Sequence, residues 1–164
     1  MWGMTDLPSQ LARVAVTLLF GLVVAGIAWY GISAEEFDRL WRNITARPGG
    51  PMTFRFMLQP AMAAITALRD GIGDARLGRL PYAATIIRDS GERGSLLWEG
   101  IVSTARILIL GVVMDVAYQW FFFDTFHPAE AAVIAILLAF VPYVLLRGPI
   151  ERVARHWIAQ PPSD

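Results

Sequence analysis

The chain contains no cysteine and no lysine. The first absence removes disulfides, thiolate metal sites and thiol chemistry. The two histidines, His127 and His156, would need carboxylates to complete a zinc site, a poor supply for that metal. The second absence leaves all fourteen basic residues as arginine, which a GC-rich coding bias produces and which also supplies weakly hydrated, multidentate cations. Charge itself is scarce: 17% of 164 residues are charged and 55% are hydrophobic, a membrane-like balance with room for one domain. A net charge of zero argues against nucleic acid as a partner. No nucleophile elbow, P-loop, dinucleotide fingerprint or His-Glu-x-x-His is present, so no catalytic residue, metal or cofactor is assigned.

Long apolar runs are what the chain does have. Residues 14–34 include 21 positions without a charge, and a helix of that length spans about 30 Å. This run exceeds the core of a cleavable signal peptide and follows a weakly basic leader, so it reads as a retained anchor. Gly21 and Ala25, four apart, put small residues on one face where another helix can approach. Sixteen uncharged residues fill positions 131–146, with Tyr143 and Arg147 suited to a membrane interface. The expected spans are about 13–33, 97–122 and 129–146.

Between the spans the signals are local. Ser33 with Glu36 three residues later is a capping box, and Phe37, Leu40, Trp41 and Ile44 then share one face of a surface helix. Pro48-Gly49-Gly50-Pro51 ends it. Residues 52–68 form a shorter apolar segment containing Gln59 and Pro60, a length typical of re-entrant or interfacial elements. If it does not cross, the Arg-rich parts share one side with the C-terminus and Arg13 stands alone outside. A fourth crossing would move Arg39, Arg42, Arg47 and Arg55 outside. The positive-inside rule therefore favours three crossings, with the N-terminus outside and the C-terminus cytoplasmic, in a bacterial inner membrane. Residues 69–94 read as a cytoplasmic loop and 149–158 as an interfacial helix. Arg69, Arg76, Arg79, Arg88, Arg147, Arg152 and Arg155 are the candidate contacts to lipid head groups or a partner.

The functional lead is the charge inside the middle span. Glu99, Ser103 and Arg106 fall on one helical face, while Asp115 and Gln119 form a second polar stripe. Arg106 and Asp115 are nine residues apart, half a turn out of phase, and cannot pair within the helix. Arg106 is expected to use Glu99 or a loop carboxylate. Asp115 needs a cation or water from elsewhere, because no Arg is evidently placed at its depth. The aromatic cluster Trp120 to Phe123 reads as an interfacial belt, and His127-Pro128-Ala129-Glu130 as a helix start.

Asp70-Gly71 with Ala75-Arg76, and Gly111 with Asp115, resemble fragments of the CDP-alcohol phosphatidyltransferase signature. Three residues rather than two separate Gly71 from Ala75, the gap to Gly111 is far too long, and Gln119 replaces the final metal-binding Asp. No metal site is carried over.

The expected fold is all-α: a small polytopic membrane bundle, 1–164, of three transmembrane helices, one re-entrant or interfacial segment and amphipathic surface helices. Such a bundle encloses little volume. The expected role is a non-catalytic accessory, assembly or scaffold subunit of a larger membrane complex, with the lipid bilayer and other membrane proteins, or further copies of itself, as partners. The alternatives are an oligomeric proton or ion conductor using Asp115, and a lipid-modifying enzyme using Asp70, Asp74 and Glu99.

Overall fold

A computed structural model describes residues 7–46, 49, 53–122 and 125–158. Arg47, Phe123, the start of the apolar segment at Met52, and Pro48, Gly50 and Pro51 of the expected helix break lie outside them. The described residues form an all-α bundle of six helices: α1 Leu7–Tyr30, α2 Ala34–Ala46, α3 Arg55–Leu77, α4 Tyr82–Arg88, α5 Ser90–Phe122 and α6 Pro128–Ile158. A π-helical turn, Ile136–Phe140, interrupts α6. Helices α1, α5 and α6 are each long and apolar enough to cross a membrane.

The helix ends follow local chemistry. Gly31, at a φ of 75°, closes α1 and donates its N–H to the Ile27 carbonyl at 2.8 Å. The Ser33 hydroxyl caps α2, accepting the Glu36 N–H at 3.1 Å as the capping box requires. At the end of α3, Gly78 adopts φ 67° and donates to Ala75, while Arg79 N–H reaches the Asp74 carbonyl at 3.0 Å, a Schellman closure. The Asp89 carboxylate accepts the N–H groups of Gly91 and Glu92, and so starts α5. Pro128 sits in the first turn of α6, as expected of that helix start.

Three boundaries differ from expectation. The segment expected at 52–68 falls in a helix that starts at Arg55 and runs on to Leu77, through the first third of the supposed loop. Pro60 interrupts little, because it stands near the helix start and removes one hydrogen bond. The rest of that supposed loop contains α4 and the first turns of α5, which begins at Ser90 rather than 97. The last span and the expected C-terminal interfacial helix are one helix, with Pro149 inside it.

What holds α3 together is its buried stripe: Arg55, Gln59, Ala63, Ala67, Gly71 and Asp74, at spacings of four and three. Its small residues allow close approach to α6. A Cβ on Gly71 would come within 2.9 Å of the Arg147 carbonyl oxygen. On α1 the close approach is at Gly26, where a Cβ would lie 2.4 Å from that of Ala129. Gly21 faces open space instead, which corrects the expected contact at Gly21 and Ala25. The shared core is alanine-rich: Ala12, Ala15, Ala63, Ala67, Ala105 and Ala139 surround Leu108.

Helix direction follows from contacts at the two ends. Tyr30 at the end of α1 donates to the Phe126 carbonyl at 2.8 Å, and Arg55 at the start of α3 meets Asp115 late in α5. At the opposite end, Asp74 late in α3 and Glu99 early in α5 both meet Arg147 late in α6. Helices α1 and α5 therefore run one way and α3 and α6 the other. The first turn of α1 and the last of α6 lie at the same end of the bundle.

Candidate functional site

Each end of the bundle holds a buried charge cluster. Asp115, completely buried, accepts a hydrogen bond from Arg55 Nη1 at 2.7 Å, and Arg55 is itself 1% exposed. Arg55 Nη2 also reaches the Gly111 carbonyl at 3.4 Å. Gln119, one turn along α5, donates through Nε2 to Asp115 Oδ2 at 2.7 Å and to the His127 carbonyl at 3.2 Å. Its Oε1 accepts the His127 N–H at 2.6 Å. This network ties α3 to α5 and α5 to the turn before α6. The cation for Asp115, missing from the sequence reading, is Arg55. Beside the pair, the Gln59 amide lies against Gly111 and has no hydrogen-bond partner among the described residues.

The other cluster centres on Arg147, which is 1% exposed. Its Nε and Nη2 donate to Asp74 at 2.7 and 3.0 Å, a bidentate pairing. Nη2 also pairs with Glu99, and Nη1 donates to the Tyr143 hydroxyl at 2.7 Å. That hydroxyl in turn donates to Asp70 at 2.7 Å. The guanidinium lies over the Tyr82 ring, 4.1 Å from its centroid. Tyr82 is buried and donates to the Leu96 carbonyl at 2.5 Å. Burial pushes its phenol pKa up to about 12; Arg147 opposes that shift, while Glu99 adds to it. Arg79, half exposed, sits at the rim, 3.4 Å from both Asp74 and Glu99. A cavity of about 390 Å³ opens here, lined by Asp74, Arg79, Tyr82, Ser95, Glu99 and Arg147 among others.

The structure separates the expected stripe on α5. Glu99 faces Arg147 and Ser103 lies beside Tyr143, but Arg106 is exposed and has no ion pair among the described residues. Asp115 and Gln119 do act together. Of the seven expected surface arginines, Arg69, Arg76, Arg79, Arg88, Arg152 and Arg155 are exposed, whereas Arg147 is the hub of a buried network. Its stem starts one turn after the inward-facing Tyr143, so the helix carries it inward too.

Asp70, Asp74 and Glu99, the set considered for lipid chemistry, do converge, yet Tyr143 and Arg147 occupy their oxygens. Among the described residues no three of His, Asp and Glu come together as a metal site. His127 packs on Tyr30, with ring centroids 4.6 Å apart, and its Nε2 lies 3.1 Å from the Thr125 hydroxyl. Glu130, 1% exposed, accepts from Asn43 and ties α2 to α6.

Between the clusters the interior is apolar. From Gln59 to Asp70 the buried face of α3 offers Ala63 and Ala67 only, over about 16 Å of helix. The arrangement can clamp α3, α5 and α6 to one another at two levels. Among the described residues it provides no continuous buried line of titratable groups from one end to the other. Comparison with protein-family models, curated proteins and solved structures gives no match.

Proposed function

We propose that the protein is a non-catalytic accessory or scaffold subunit of a larger membrane complex. The observation that carries this reading is that the buried ionic groups at both levels are engaged with one another across helices, with an apolar layer between them. Charges spent on fixing helix geometry support a structural role better than ion passage. The outer surfaces remain apolar and aromatic, including Trp98, Val113, Trp120 and Phe121 on α5.

Helix direction supports four crossings, because a chain that exits along α1 must return along α3 before re-entering along α5. Arg13, Arg69, Arg76, Arg79, Arg88, Arg93, Arg147, Arg152 and Arg155 then lie at one end, against Arg39, Arg42 and Arg55 among the described residues at the other. By the positive-inside rule the first group faces the cytoplasm, in a bacterial inner membrane, with both helical termini inside. At the opposite face α2 lies along the surface, exposing Phe37 and Trp41 to the interface.

Extraction from native membranes in mild detergent tests the role. A second protein present in fixed ratio supports it; a monomer with lipid alone rejects it. The ion-conducting alternative predicts liposome proton flux that Asp115→Asn abolishes, and flux of that kind would displace the accessory reading.

A further inference from the structure

Arg106 is the midpoint of α5, which extends from Ser90 to Phe122. It lies seven residues past Glu99 and nine before Asp115, about 10 and 13 Å from the levels of the two clusters. Both clusters turn inward, but Arg106 points out. Its exposed neighbours along that side of the helix are Trp98, Val113 and Trp120. A lone guanidinium in an apolar stripe at the middle of a span is costly, and an opposite charge beside it lowers that cost most directly.

We infer that this face of α5 docks a transmembrane helix of a different protein, and that the helix carries an Asp or Glu near its middle. The inference rests on the accessory role. Charge complementarity selects the partner. The carboxylates nearest the middle of α5 are engaged within the chain, with Asp115 on Arg55, Asp74 and Glu99 on Arg147, and Asp70 on Tyr143. A second copy packed on this face brings another Arg106 to the same depth and no spare carboxylate, so like charges oppose one another. The short Val113 side chain beside Arg106 leaves room for the partner's backbone to come close, with Trp98 and Trp120 bracketing the site toward the two interfaces.

The test uses the full chain in lipid vesicles and synthetic Leu/Ala transmembrane peptides carrying Glu, Gln or Leu at the central position, with association read by energy transfer. The wild type should bind the Glu peptide about tenfold more tightly than the Leu peptide. Arg106→Leu should erase that preference and Arg106→Lys keep part of it. Because Arg106 makes no internal ion pair among the described residues, Arg106→Leu should retain the wild-type unfolding midpoint, which separates lost docking from misfolding. Equal binding of the Glu and Leu peptides, an unchanged preference in Arg106→Leu, or a dimer of the chain held through this face would overturn the inference. A mid-helix photocrosslinker at Val113 that captures lipid alone would also overturn it. If a partner co-purifies equally with the wild type and Arg106→Leu, this inference falls and the accessory role stands; if none co-purifies with the wild type, both fall.

Discussion

The residues with most leverage are the buried charges, because breaking one partner strands the other in a medium that cannot solvate it. Asp115→Leu deprives the buried Arg55 guanidinium of the carboxylate that Nη1 donates to, which should cost about 3–5 kcal/mol of stability. The double variant Arg55→Met with Asp115→Leu should recover most of that loss, since a buried pair exchanged for apolar side chains of similar size is often close to neutral. Thermal unfolding in detergent measures both; a double variant no better than the single would show that the charges do more than neutralise each other. Tyr82 gives a pH signature. Its phenol ionises near 10 in the unfolded chain and near 12 in the folded protein. Below pH 10 the neutral phenol is present in both states and its contribution is complete. As the pH rises from 10 to 12 the unfolded chain releases the proton first, so stability falls with pH. Comparing Tyr82→Phe with wild type across that window isolates the effect: the variant should show the shallower decline, and identical slopes would contradict it.

Among the elements, α3 depends most on glycine and alanine. Gly71→Ala forces a methyl onto the Arg147 backbone, which cannot swing aside as a side chain can, so the substitution should destabilise by about 1–3 kcal/mol. Gly21→Ala meets nothing within 4 Å, and should be neutral or stabilise by up to about 1 kcal/mol through helix propensity. Equal effects in the two variants, read from unfolding midpoints, would refute the close packing of α3 on α6.

The same helices show how far the sequence could be read. Spans α1, α5 and α6 were visible because lipid demands long apolar runs. The helix start at Pro128 and the cap at Ser33 were visible because their chemistry is local. Helix α3 was hidden by Asp70 and Asp74, whose charges end the apolar run as a loop would. Asp74 lies on the buried stripe, and the spacing of Ala63, Ala67 and Gly71 along that stripe was the available sign. Glu99, Asp115 and Gln119 were legible as intramembrane polar groups, but their partners Arg147 and Arg55 stand 48 and 60 residues away, and pairing at that range is decided by tertiary packing. Arg106 looked the same as Glu99 in a helical projection; only the placement of neighbouring helices turns one inward and the other outward.

For the whole molecule, the absence of cysteine makes membrane topology directly measurable. With single cysteines introduced at Gln10, Ser33 and Arg88, an impermeant thiol reagent applied to intact cells should label Ser33→Cys and spare the other two. Labelling of Gln10→Cys together with protection of Ser33→Cys would restore the three-crossing arrangement. The central claim is that two internally paired charge clusters fix α3, α5 and α6 into a unit whose purpose is to hold another membrane protein. Native mass spectrometry of the chain excised from its own membrane in polymer discs addresses this most directly. The account predicts one dominant assembly heavier than the 18.2 kDa chain, containing a second protein in fixed ratio whose transmembrane helix has a central Asp or Glu. An 18.2 kDa monomer, or a homo-oligomer accompanied by lipid alone, would contradict it.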